Sequence, residues 1–219
     1  MEKLIFFIIL FCGFIFGQSS EFIVEFMGFD AAKVQITEID TIYKGYEAKS
    51  ITFKTETVSA SKTLFPVDNT YHTIIKNDFS RILYFKKSTS QPWLKNELET
   101  VLINEKVSYK DSEIDISHGF LNIFTLLQYL NHAPIEVLVE KVYYLDREGQ
   151  RFRASFDEIN PNELFLNLEN LNINSPIIKE TDIFTWAVFR EGAKRTLRIK
   201  NGKLVYCQFS IGFINMKAK

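Results

Sequence analysis

Three histidines (His72, His118 and His132), the acidic run Asp111, Glu113 and Asp115, and the cysteine Cys207 are the residues of this sequence whose types could do chemistry. A structural or catalytic metal needs three or four ligands converging on one ion. If His118 and His132 share one helix, the rise of 1.5 Å per residue sets them about 20 Å apart, too far to hold an ion together. The alternating acids resemble the start of a calcium loop, but such a loop needs glycine at its sixth position and a bidentate glutamate at its twelfth. Here those positions are Ile116 and Asn122. The acids are better placed to favour a helix N-terminus through its dipole.

Nucleophilic chemistry finds no motif either. There is no serine in a Gly-x-Ser-x-Gly elbow, and Cys207 alternates with Val205 and Phe209 as a buried strand thiol would. Carboxylate pairs are too numerous for spacing alone to select an acid and a base. The sequence therefore yields no catalytic residue, no metal ligand and no cofactor site, and it points to a non-enzymatic protein.

The 26 basic and 27 acidic residues are interspersed and leave a net charge of −1, with neither a basic stripe for nucleic acid nor a polybasic membrane patch. What stands out is aromatic content: 21 phenylalanines in 219 residues, more than any charge or metal pattern could account for. Phe22, Phe26, Phe53, Phe124, Phe152 and Phe156 either fill a closed core or leave part of their surface lining a cavity for an apolar ligand. On the second alternative the ligand-lining residues are Phe53, Phe124, Leu127 and Phe152.

The elements that would position them are mostly strands. Phe22, Val24 and Phe26 alternate on one face, Gly28-Phe29-Asp30 turns the chain, and Val34 and Ile36 begin the return. Ile51, Phe53 and Thr55 continue the alternation, and further strands are expected at 71–76, 82–86, 98–103, 106–109, 137–145 and 151–156. Two hairpins close the chain, one joining 184–190 to 195–200 and one turning at Asn201-Gly202, which suits a type I′ turn. One segment changes period. From Ile116 through Phe120, Ile123, Phe124, Leu127 and Leu130 the apolar residues step by three and four, which predicts a helix near 116–130, capped by Asp115 or Ser117 and apolar almost all round. The expected fold is mostly β (α+β): a curled antiparallel sheet, or half-barrel, wrapped around one buried apolar helix.

Residues 1–17 read as a signal peptide, with Lys3 ahead of an apolar stretch from Leu4 to Phe16. That stretch is shorter than the roughly 20 residues a bilayer span requires. Cys12 follows Phe11 rather than a small residue, which argues against a lipid anchor. The mature chain, 18–219, is expected to be one domain with no membrane span, located in the periplasm or secreted.

The order of elements resembles a bacterial exported family of unknown function (DUF3108-like), related in fold to the periplasmic lipoprotein carriers. The early strand pairs carry the resemblance together with Phe65-Pro66-Val67-Asp68-Asn69-Thr70-Tyr71-His72-Thr73, the strand 82–87, Asp115-Ile116-Ser117-His118-Gly119-Phe120-Leu121, and Arg195-Thr196-Leu197-Arg198-Ile199 with Gly202-Lys203-Leu204. The chain departs from the family in having Phe120, Asn122 and Ile123 where the central helix tends to carry tyrosine and arginine, and in placing Asp182 before Trp186. The resemblance implies a half-barrel with an apolar concavity and transfers no activity. Two functions follow as expectations: binding of a lipid or other apolar small molecule in the concavity, or assembly with an envelope protein through an edge strand or apolar patch.

Overall fold

The structure, a computed structural model, describes residues 17–58, 65–104, 106–109, 112–115, 120–171, 177–178, 180–211 and 214–219. The leader call at 1–17 lies, apart from Gly17, outside these residues, as do His118 and Asp111.

The described strands form one antiparallel sheet of 14 strands that does not close on itself. β1 (Gly17–Phe26), β2 (Phe29–Tyr43), β3 (Tyr46–Thr57), β4 (Asp68–Lys76), β5 (Ile82–Gln91), β6 (Leu94–Ile103), β7 (Lys106–Tyr109) and β8 (Ser112–Asp115) are laid down in sequence as one arm. β9 (Tyr143–Arg147), β10 (Gln150–Asn160), β11 (Glu163–Asn170), β12 (Lys194–Lys200), β13 (Lys203–Ile211) and β14 (Ile214–Ala218) form the other. The arms join where β14 pairs with β1, so the sheet's middle is made by the two ends of the described chain and its edges by β8 and β9. Short connections between alternating strands dictate this meander. Register shifts at Val24/Glu25, Ile74/Ile75 and Arg198/Ile199 add the twist that coils a long sheet.

Period-two alternation selects the concave face. Cross-strand pairing lines up Ile36, Phe53, Tyr71, Lys87 and Leu98 in one row across β2 to β6. Against this face pack α1 (Ile123–Tyr129) and α3 (Ile183–Phe189), while α2 (Ile135–Val139) lies against β10.

Three elements differ from the sequence expectation. The helix begins later than 116: residues 116–119 are outside the described set, Asp115 belongs to β8, and the N-cap is Asn122. Its side chain accepts from Thr125 N at 2.9 Å while Asn122 N donates to Thr125 Oγ1 at 3.0 Å, a reciprocal cap at the start of α1; Ser117, the other expected cap, lies outside the described residues. The strand expected at 184–190 is α3, because Asp182 caps Thr185 N at 3.0 Å and buried Arg195 donates to the carbonyls of Val188, Ala193 and Arg190 at the other end. The expected strand 137–145 divides into α2 and β9. At 184–190 local propensity favoured a strand, and the Asp182 cap with the Arg195 bonds overrode it; α2 has no side-chain cap.

Candidate functional site

The sheet's concave face is covered unevenly. Under α1, Ile51, Phe53 and Tyr71 are buried, and Phe124 stacks on Tyr71 with ring centroids 4.0 Å apart and meets Phe53 at 5.3 Å and Phe184 of α3 at 5.5 Å. Toward β1 the cover thins. Phe22, Val24 and Val34 point to the same face but remain half-buried.

Between the two regions lies an apolar cavity. The sheet contributes Phe22, Val24, Val34, Ile36, Phe53, Thr55 and Tyr71 on one side of the β1–β14 seam and Leu204, Cys207, Phe209, Met216 and Ala218 on the other. Phe124, Leu127, Gln128, Asn131 and Phe184 form its roof. Its volume is about 650 Å³ including the open mouth, but only about 60 Å³ is wide enough to seat the centres of water-sized groups. A single water needs about 10–15 Å³ by that measure. The cavity is a narrow slot that takes a few methylene-sized groups as it stands. Cys207 is buried in its wall, and burial pushes the thiol pKa up to about 12, so it is protonated and unreactive.

Of the residues expected from sequence to line a ligand site, Phe53, Phe124 and Leu127 are brought together here. Phe152 is not: it is buried against Phe189 of α3, centroids 4.7 Å apart. Alternation put Phe152 on an inward face, and it is buried there, but against α3 rather than in the cavity. Phe22 was expected to fill the core or line a cavity and Cys207 to be a buried strand thiol; that they meet here with Val24 and Val34 was not read from the sequence, because it depends on β1 pairing with β14.

Two buried polar clusters brace the slot. At one end Glu38, 4% exposed, accepts from Gln128 Nε2 at 2.5 Å and His132 Nε2 at 2.9 Å and pairs with Lys49 at 3.0 Å. Burial alone would raise the Glu38 pKa, but the bonds from His132, Gln128 and Lys49 outweigh it and hold the carboxyl at about 2. At the other end Lys87, only 1% exposed, pairs with Asp182 at 2.6 Å and with Glu148. Thr181 Oγ1 donates to Glu148 at 2.6 Å, and Thr185 Oγ1 donates to Asp182 at 2.7 Å. Burial opposes ionisation of Asp182, yet Lys87 and the Thr185 bonds hold its pKa below the ordinary value. Lys87 thus ties β5 to the β9–β10 turn and to the start of α3, the helix that carries Phe184 into the cavity. Nearby, Tyr109 of β7 donates to Asp146 of β9, and the backbone of Leu121 bridges Leu145, drawing the two open edges toward each other.

Among the described residues no group of three or more His, Cys, Asp or Glu could hold a metal ion. His72 and His132 take separate partners, Ser50 at 2.9 Å and Glu38. No described helix is long and apolar enough to cross a membrane.

The architecture has a counterpart among solved structures. A crystal structure of a β-barrel-like protein of domain of unknown function DUF1849 from Brucella abortus superposes with a TM-score of 0.51 at 10% identity, covering 92% of this chain and 94% of that one. The shared property is the fold. At that identity no residue role carries across, and the match is to a different family of unknown function from the DUF3108-like one that the order of elements resembles. No protein-family model and no curated protein matches the sequence.

Proposed function

We propose that the chain is an exported, non-enzymatic protein that holds a lipid-like or other small apolar molecule between the concave face of the sheet and helices α1 and α3. The observation that carries this reading is the inward-facing but half-buried set Phe22, Val24 and Val34 beside a slot lined almost wholly by apolar side chains. Inward apolar surface left partly solvated gains about 25 cal/mol for each Å² that a ligand covers. With about 60 Å³ of working volume, the slot takes one end of such a molecule while the remainder lies over β1 and β2. Export is inferred from the leader at 1–17, and sequencing the N-terminus of the processed protein tests it.

A fluorescent apolar reporter such as N-phenyl-1-naphthylamine tests binding. It is expected to brighten with saturation on the wild type, and Leu127→Trp, which fills the slot, is expected to weaken it by about tenfold or more. Unsaturable brightening, or a signal unchanged by Leu127→Trp in a folded protein, contradicts the reading. The competing reading, assembly through an edge strand, has less support: β9 already carries the bridge to Leu121, and β8 is four residues long.

A further inference from the structure

The two rims of the sheet differ at their turn tips, although Ile42, Tyr46, Ile103 and Ile159 are exposed on the strands beside the turns of Lys44, Asn104 and Asn162. At one rim the central turn residues are polar: Lys44-Gly45 between β2 and β3, Asn104 between β6 and β7, Asn162 between β10 and β11, and Asn201-Gly202 between β12 and β13. The asparagines and glycines among them suit tight turns and the left-handed backbone region.

At the opposite rim the pairing Phe26↔Phe29, Glu56↔Asp68 and Gln91↔Leu94 sets the β1–β2, β3–β4 and β5–β6 connections side by side. Each exposes a large apolar side chain: Met27 (52%) and Phe29 (76%), Phe65 (39%), and Trp93 (95%).

Met27 (φ 52°) and Trp93 (φ 64°) also occupy left-handed backbone positions that disfavour bulky side chains. At two of the other such positions the reason is internal, while exposed Lys44 (φ 49°) holds the same backbone in the β2–β3 turn with a charged side chain. Phe79 is buried against Tyr129 and His132, and Glu148 is buried on Lys87. Met27 and Trp93 are exposed, so the fold itself gains little from them.

Strands lie about 4.8 Å apart, so these tips stand roughly 10 Å from one another along an arc of about 20 Å. The four side chains present roughly 550 Å² between them, short of the roughly 800 Å² per partner of a stable protein interface. They form separate wedges with Asp30 and Asp68 exposed between them. A rigid protein partner or a second copy needs a continuous complementary patch, whereas a lipid surface yields around each wedge separately, and tryptophan favours that interface. We propose that this rim is a membrane-docking edge: Met27, Phe29, Phe65 and Trp93 insert shallowly into the headgroup–acyl boundary of a lipid bilayer. The inference does not require the cavity to be occupied, and none of the four residues lines it.

The test is co-flotation with vesicles of phosphatidylethanolamine and phosphatidylglycerol, together with quenching of tryptophan emission by brominated acyl chains. Trp93 and Trp186 are the only tryptophans, so the difference between wild type and Trp93→Ser isolates Trp93. Expected results are flotation at low and high salt, quenching that disappears in Trp93→Ser, and about tenfold or more weaker binding in the Met27→Ser/Phe29→Ser/Trp93→Ser variant, the least that withdrawing buried aromatic surface implies. Each variant alters exposed tips and should keep the wild-type unfolding midpoint. The proposal is overturned if the protein does not float, if the triple variant floats as well as wild type, or if Trp93 drives self-association without vesicles.

Discussion

Lys87 is the residue on which the two arms of the sheet depend. It sits in an inward row between Tyr71 and Leu98, where parity demands an apolar side chain, and it is tolerated there because Glu148 and Asp182 satisfy its charge. Removing one member of a buried ion cluster leaves the others uncompensated, which typically costs about 3–5 kcal/mol. Lys87→Met should lose stability on that scale in urea denaturation, and a loss below about 1 kcal/mol would mean that water reaches the carboxylates. Glu38 sets a pH dependence of definite sign. Its folded pKa of about 2 lies below the ordinary 4.5, so its stabilising contribution is complete above 4.5 and is lost as pH falls through about 2. Midpoints measured across that window should fall less steeply in Glu38→Gln than in wild type, and parallel curves would contradict the assignment. The strand expected from alternation stopped at residue 86 and gave Lys87 no role, and its partners were not legible either. Asp182 and Glu148 are 95 and 61 residues away, and nothing local announces the pairing.

At the scale of elements, the strands were legible because alternation and turn residues agree over most of the meander. Phe22 with Val24 and Phe26, and the turn at Asn201-Gly202, both stand where period and chemistry placed them. The helices were less so. α1 falls inside the helix that the three-and-four steps predicted near 116–130, but begins later, whereas α2 and α3 span 5 and 7 residues, too short to establish a 3.6 period, and α1 and α3 carry side-chain caps. For α3 the decisive group is remote from the helix: Arg195, 5% exposed, donates to three carbonyls around the helix's end, and burial lowers its pKa to about 10. Arg195→Met keeps the apolar stem and strands those acceptors, a cost of about 3 kcal/mol. Hydrogen exchange should show the amides of 183–190 opening first while β2 to β4 stay protected. Uniform acceleration would mean that α3 has no separate cap.

The described molecule is a sheet whose centre is built from the two ends of the described chain and whose β9 edge is tied by the Leu121–Leu145 backbone bridge and the Tyr109–Asp146 hydrogen bond. That geometry leaves an apolar slot beside β1, under two helices held in place by Glu38 at one end and Lys87 at the other. Composition showed an aromatic excess without showing whether the core is closed. The slot is partly filled, by Phe124 and Phe184 above all; Phe53, Phe124 and Leu127 meet in its walls, while Phe152 packs on Phe189 instead. The most direct test of the apolar-ligand reading is native mass spectrometry of the protein purified from a bacterial host, paired with organic extraction of the same sample. The account predicts a stoichiometric apolar adduct, or uptake of one added fatty acid per chain, with occupancy reduced in Leu127→Trp and unchanged in Trp93→Ser. A bare mass that stays bare when fatty acids and phospholipids are added would contradict it.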